Sequence, residues 1–577
     1  MSDLVIGTRR PSTTRNMRGL AIIALVLLIA LIVAYVIFRR LVSYVEPEGS
    51  VPPDPLVVTA SAGSDRPTSL GFGRSSLSYA GRIGVLRLVG KPHTLGASQG
   101  RLLGDAVNRV TASLVPAIDN TVSSGGWFGG SGHATRVRWR HRMLDDGIPG
   151  HQLLEIAGVV RGTHRSANSS PGYASFLRAQ AALDVGAPPR SSDGHDFRAM
   201  TRSLSFVATL RGTSGDRLLI GRSLALPGAA DGGDSAAREL TVSFVRDSDD
   251  ATIPYASVGW PGLVGVLSGI NAEGIAVMVH PANAGDVRVT REAQPVPLLA
   301  REILEQARTL DDAVGILEQA NPLGAAAFLI VDGNARTWAV VDRSPQTVSV
   351  ARGKTPPVIT DILTSSDFEN DPENDRARRI RPSEMRARRA AQLLKVGASD
   401  PSAVVSILRD SRGPAGTPLP IGHRGAPQDL SAVHTAIFDA SGMVLWVSEG
   451  PGASGRFRAF DLRYELRGEG ARPAPPADLP ADPEFDVGGA EAILSARADL
   501  RAARRAWNDD DRRQARELVQ RALARAPHLP EALRLAGDYA RRGGDHAAAT
   551  AFYERYLAGG ADDLAAEEEI NALLKNR

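Results

Sequence analysis

The sequence predicts an α+β protein, with antiparallel sheets covered by helices, set between one apolar N-terminal helix and an all-helical C-terminal tail. Three observations carry this. Gly19 to Phe38 is an unbroken apolar run. From Ser203 onward, short apolar runs divided by turn residues alternate with amphipathic helical patterns, which is the texture of layered sheets and helices. The last ninety or so residues are rich in Ala, Arg and Leu and repeat themselves.

Composition bounds the rest. A chain of 577 residues is long enough for about two or three globular parts. An apolar share of 43% and a charged share of 23% are those of a folded protein. The formal net charge is only +3, and no basic cluster is interleaved with aromatics, so nucleic acid is not an expected partner. Cys is absent, which excludes disulfides, thiolate metal sites and a cysteine nucleophile. The eleven histidines show no metal-ligand spacing. There is no Gly-x-Ser-x-Gly elbow, phosphate loop or dinucleotide fingerprint, and no cofactor is expected.

The apolar run, residues 19–38, matches the roughly 20 residues a helix needs to cross a bilayer. It exceeds the usual apolar region of a signal peptide, and no small-x-small site follows it directly. Arg9, Arg10, Arg15 and Arg18 precede it while Arg39 and Arg40 follow. That favours a cytoplasmic segment 1–18, a single-pass cell-membrane anchor, and everything after it on the extracytoplasmic side. Residues 39–81, rich in Pro, Ser and Gly, read as a linker without periodicity. Next come a helical part, 82–202, and a β-rich core, 203–466. A Pro-rich connector, 467–488, leads to the helical tail, 489–577.

Within the tail Ala506, Asp511, Ala515 and Leu523 recur as Ala540, Asp545, Ala549 and Leu557, a period of 34. The period and the small/large alternation resemble tetratricopeptide repeats. Two roles stay open for such a tail: a docking surface for a protein partner, or a helical cap packed on its neighbour.

The order of motifs in the central region is more specific. "GKPHTLGASQGRLLGD" joins a strand to a helix, "LLEIAGVVRGTH" is a second helix, and "PGLVGVLSGINAEGIAV" is a Gly-rich hairpin. Taken together, these segments resemble the acyl-coenzyme A:6-aminopenicillanic acid acyltransferase group, peptidase family C45, of the N-terminal nucleophile (Ntn) hydrolases. The resemblance spans about residues 84–466. It implies a four-layer αββα sandwich and a precursor cut just before its nucleophile. That nucleophile is a cysteine in the family, and "Ser203-Leu204-Ser205-Phe206" lies over its position. Ser203 becomes the expected nucleophile and Arg202–Ser203 the expected scissile bond. On its own residues Ser203 reads as an ordinary strand serine.

Cutting there would free an α-amine whose ordinary pKa, about 7.7–8, suits a general base. A serine is a weaker nucleophile than a thiolate and leans harder on that base and on oxyanion stabilisation. The family's Arg-Asn-Leu/Met-Asp strand corresponds to Arg222-Ser223-Leu224-Ala225, which keeps the arginine and replaces the amine-orienting aspartate by Ala225. Its Thr-Asn-His signature falls on Thr360-Asp361-Ile362, where an ionised aspartate would repel a developing oxyanion. Ser203, Arg222 and Asp361 are therefore the expected catalytic positions. His280, Asn283 and Arg386 are the expected substrate-binding ones. The implied activity is hydrolysis or acyl transfer at a linear amide C–N bond of a small-molecule substrate. The alternative is a catalytically inactive Ntn fold that binds a ligand and recruits a partner through its tail.

Overall fold

The computed structural model describes residues 13–60, 67–119, 139, 141–163, 171–185, 201–211, 216–226, 240–285, 293–353, 355–398, 400–467 and 476–575. Residues 1–12 of the expected cytoplasmic segment and 468–475 of the expected connector lie outside them.

The helix α1 (Thr13–Val42) contains Ala21–Val42, a stretch long and apolar enough to cross a membrane, with mean hydropathy 3.3 and none of it buried in the protein. The segment expected as a structureless linker is instead partly β. It supplies β1 (Val57–Ala60), β2 (Pro67–Phe72) and β3 (Ser75–Ala80). The period-2 signal was present, since Leu77 is buried between the less buried Ser76 and Ser78, but it rests on few apolar side chains among serines and glycines. These strands precede β4 (Ile83–Gly90).

The core strands follow: β5 (Arg202–Leu210), β6 (Arg217–Ala225), β7 (Val242–Ser248), β8 (Tyr255–Gly259), β9 (Ser268–Asn271) and β10 (Ile275–Ala282). After two helices come β11 (Ala325–Asp332), β12 (Thr337–Arg343), β13 (Val348–Arg352) and β14 (Val358–Thr360). The chain closes its sheets with β15 (Ala432–Asp439), β16 (Val444–Ser448) and β17 (Phe457–Asp461). Among the described residues one sheet has eleven strands in the order β1-β2-β3-β4-β7-β8-β9-β10-β11-β12-β13, and the other six in the order β14-β5-β6-β15-β16-β17. The β4–β7 pair is parallel; it stitches the N-terminal part into the middle of the large sheet.

Side-chain alternation sorts the layers, because successive residues of a strand face opposite ways. On β10, Val277 and Val279 join a cluster with the helices Pro92–Asp119, Gly150–Thr163, Val296–Gln306 and Leu310–Gln319. Ala276 and Met278 face the other way and pack with Val207, Ile220 and Phe438 of the small sheet. The outer face of the small sheet, with Phe206, Leu219 and Ile437, meets Ala390, Val404 and Leu408 of the helices Ser383–Leu394 and Pro401–Arg409. The order is helices, sheet, sheet, helices.

The outer helices Pro92–Asp119 and Gly150–Thr163 approach through Gly96, Gly100, Gly158 and Gly162. A Cβ on any of the four would run into backbone atoms of the opposite helix, so two small-x-x-x-small faces set the spacing. Charge ties the second of these helices to the large sheet and to a third helix. Glu155 is buried between Arg246 of β7 and Arg301 of Val296–Gln306, at 3.1 and 2.7 Å.

The tail is five helices, Val487–Asn508, Arg512–Arg525, Pro530–Arg542, His546–Ala558 and Leu564–Lys575. The period of 34 has a physical counterpart: Asp511 and Asp545 each cap a helix by accepting from the backbone N–H three residues on. Ala515 and Ala549 are buried at the helix contacts. The tail also packs on the core segment 419–431. Arg497 donates to Ser431 Oγ (2.7 Å) and to the Gly422 carbonyl (2.6 Å), His423 meets the Gly560 carbonyl, and Arg424 pairs with Asp562.

Candidate active site

The same alternation builds the site. On five strands the series facing the other sheet runs from apolar to polar toward one end: Val207, Ser205, Ser203 on β5; Leu218, Ile220, Arg222 on β6; Ile270, Ser268 on β9; Met278, His280 on β10; and Phe438, Ala436, His434 on β15. The hydrophobic seam between the sheets thus ends in a buried polar cluster.

Ser203 lies one residue inside β5 and is 2% exposed. Its Oγ is 2.8 Å from His280 Nδ1. Arg222 NH1 reaches both ring nitrogens of His280 at 3.2–3.3 Å and donates to Ser205 Oγ at 3.3 Å. Its other N–H groups go to Ser268 Oγ (3.0 Å) and to the carbonyls of Val279 (2.6 Å) and Leu267 (3.5 Å). Ser268 Oγ in turn sits 2.9 Å from His434 Nε2.

Electrostatics follow from burial. Arg222 makes no ion pair among the described residues. Desolvation lowers its pKa to about 9, with Asp361 the opposing charge that holds it up. Burial first, then the charges of Arg222 and Arg386, push His280 well below the usual imidazole value. Burial and Arg222 take His434 down to about 3. A guanidinium can only donate, so the imidazole beside it is neutral.

Asp361 follows β14, which pairs with β5. Its Oδ1 accepts from the Ser203 backbone N–H (3.3 Å) and from Arg386 NH2 (2.6 Å). Its Oδ2 accepts from Ser383 Oγ (3.0 Å) and Arg381 NH1 (3.3 Å). Arg381 NH2 also donates to Asn283 Oδ1 at 3.2 Å. The six expected residues, Ser203, Arg222, Asp361, His280, Asn283 and Arg386, therefore form one connected network. The expectation that Asp361 stands as a repelling charge is corrected by these contacts: two arginines and a hydroxyl offset its carboxylate, which faces the nitrogen of Ser203. Ala225, where an aspartate was expected to hold that nitrogen, pairs with Arg202 across the β5–β6 ladder and is fully buried.

Sequence reading missed Ser205, Ser268, His434, Arg381, Ser383 and Asp429. The first three were legible from strand parity, since each continues an inward-facing apolar series. Arg381 and Ser383 lie at a helix-to-helix junction with no such pattern. Asp429, in the 419–431 segment, accepts from Arg202 Nε at 2.8 Å and from Arg202 NH2 at 3.4 Å. Nothing local in the sequence ties those two together. Among the described residues no group of His, Asp and Glu has the arrangement of a metal site.

Residues 238–453 match the family model described as acyl-coenzyme A:6-aminopenicillanic acid acyl-transferase. That segment contains His280, Asn283, Asp361 and Arg386 and begins after Ser203 and Arg222. No curated protein matches the chain. Among solved structures, a Caenorhabditis elegans ortholog of N-acylethanolamine-hydrolyzing acid amidase aligns at 16% identity and a TM-score of 0.29, covering 41% of this chain and 93% of its own. A mutant of conjugated bile acid hydrolase from Clostridium perfringens aligns at 11% identity and a TM-score of 0.30, covering 49% and 99%.

Proposed function

We propose that this chain, a relative of the acyl-coenzyme A:6-aminopenicillanic acid acyl-transferase family over residues 238–453, is an Ntn-type amidohydrolase or acyltransferase with Ser203 as nucleophile. It acts on a linear amide C–N bond after cutting itself between Arg202 and Ser203. One observation carries the reading: the two reacting groups of Ser203 each have their own partner, Oγ with His280 and the backbone nitrogen with Asp361.

In the uncut chain Ser203 Oγ attacks the Arg202 carbonyl carbon. The hydroxyl proton passes to the departing Ser203 nitrogen, with His280 as the relay. A ring held neutral by burial and by Arg222 keeps such a proton poorly, which suits handing it on. Once free, the Ser203 amine is the general base for turnover, with an ordinary pKa of about 7.7–8. Asp361 orients that amine in place of the aspartate absent at Ala225. Arg381, a pure donor, turns Asn283 with Oδ1 toward itself, which leaves the amide Nδ2 as the donor for a substrate oxygen. Arg222 and Arg386 hold His280 and Asp361 in place.

The helix α1 would anchor the enzyme, with its working domains outside the cytoplasm; the excess of arginines before the apolar run supports that orientation. The tail would brace the site through residues 419–431, and any protein partner would use its opposite faces. A second reading, an inactive binding fold, draws on Ala225 and on the burial of Ser203. The two separate on one experiment. Intact-mass measurement of the full chain, purified in detergent, yields fragments 1–202 and 203–577 if the enzyme reading holds, and a single chain for Ser203→Ala. An uncut wild type supports the inactive fold.

A further inference from the structure

We infer that Asp429 forms an acyl-side specificity pocket for a cationic side chain, so that the preferred substrates are amides whose acyl part is arginyl. This rests on the Ser203 reading above and deepens it. When Ser203 Oγ attacks the Arg202 carbonyl, a C–O bond forms and the C–N bond breaks. The Oγ proton ends on the freed amine, and an ester of the Arg202 acyl group on Ser203 remains. Water then attacks that ester, giving the Arg202 carboxylate and restoring the hydroxyl. An acyl-enzyme formed from any external amide is the same kind of ester on the same oxygen. The place occupied by the Arg202 side chain is therefore the place offered to the acyl side chain of a substrate.

That place is built. Arg202 and Asp429 have side chains 5% and 11% exposed and are joined through two nitrogens, Nε and NH2, to two carboxylate oxygens. The backbone N–H of Ser431 donates to Asp429 Oδ1 at 2.9 Å. Burial alone would raise the Asp429 pKa, but the charge and hydrogen bond of Arg202, helped by Arg497, hold it far below the usual range. Arg497 does not pair with Asp429 directly, being engaged with Ser431, Gly422 and Glu531. Withdrawal of the Arg202 side chain leaves Asp429 as a carboxylate in a largely buried site with no direct ion-pair partner among the described residues, Arg497 and Arg386 acting on it only at longer range. Such a group selects strongly for a cation.

The test uses the full-length protein in detergent with two chromogenic probes, Nα-acetyl-arginine p-nitroanilide and Nα-acetyl-methionine p-nitroanilide, similar in length and different in charge. The arginine probe should have a kcat/KM about tenfold or more above the methionine probe. Asp429→Asn should bring the ratio to about one, and Asp429→Glu should keep the preference. Self-cleavage of Arg202→Met should be slower than wild type by about the same factor. A ratio near one in the wild type, or a preference untouched by Asp429→Asn, overturns the inference while leaving Ser203 as nucleophile. A wild-type chain that stays uncut and hydrolyses neither probe overturns the Ser203 reading, and the pocket with it.

Discussion

The backbone nitrogen of Ser203 donates to Oδ1 of Asp361 across 3.3 Å, and the same oxygen accepts from Arg386 at 2.6 Å. A carboxylate expected beside a developing oxyanion accepts from the nitrogen that the proposed cleavage would turn into an amine.

Asp361→Asn removes that charge while keeping the shape. Arg381 and Arg386, both buried, then lose the carboxylate they both pair with, which should cost about 3–5 kcal/mol of stability. Urea unfolding of the uncut Ser203→Ala background, with and without Asp361→Asn, measures this free of any cleavage. An unchanged midpoint contradicts the assignment of Asp361 as the counter-charge.

The two halves made by cleavage should stay together. Fragment 1–202 keeps β4 paired in parallel with β7 over seven residues, and it keeps Glu155 between Arg246 and Arg301. Both fragments should co-elute on gel filtration without denaturant and separate only in it. Elution of fragment 203–577 alone would show that the N-terminal part is not integral to the fold.

Stability should fall on acidification well before the carboxylates titrate. His280 and His434 are held below the ordinary histidine value of 6.5. Below pH 6.5 the unfolded chain takes up protons at these rings and the folded chain does not, so stability is full above that pH and drops as pH decreases. Each ring contributes a loss of about 2 kcal/mol by pH 5. Glu305 and Asp429, lowered carboxylates, act only below their ordinary values of 4.5 and 3.8, outside this window. A urea midpoint that drops between pH 7.5 and pH 5, and drops less far in His434→Gln, is the expected result. A midpoint independent of pH over that range contradicts the buried neutral pair.

The tail should matter to the site, not only to itself. Arg497→Met removes the bonds to Ser431 and Gly422 that hold the 419–431 segment. It should slow self-cleavage and lower stability by about 2–4 kcal/mol, with Arg497→Lys recovering part of both. Cleavage at the wild-type rate would leave the tail as an independent module.

What the sequence disclosed follows period and position. The apolar runs of β5, β6, β10 and β11, buried along nearly their whole length, were legible because turn residues bound them, and the amphipathic helices because one-sided burial imposes a period. Short β14, with three residues, was not, since so few positions form no run. The site divides in the same way. Ser203, Arg222 and Asp361 could be placed by motif order, and His280 extends an inward series ending at Met278. The pair Arg202–Asp429 joins residues 227 apart in sequence, and no local signal encodes such a contact. Only the closure of the segment 419–431 against β5 creates it.

The most direct measurement is N-terminal sequencing, with intact mass, of the purified full-length protein. The account predicts a fragment beginning Ser203-Leu204-Ser205-Phe206 beside one ending at Arg202, and a single chain for Ser203→Ala. A wild-type protein that remains one covalent chain, or one cut at any other bond, contradicts it.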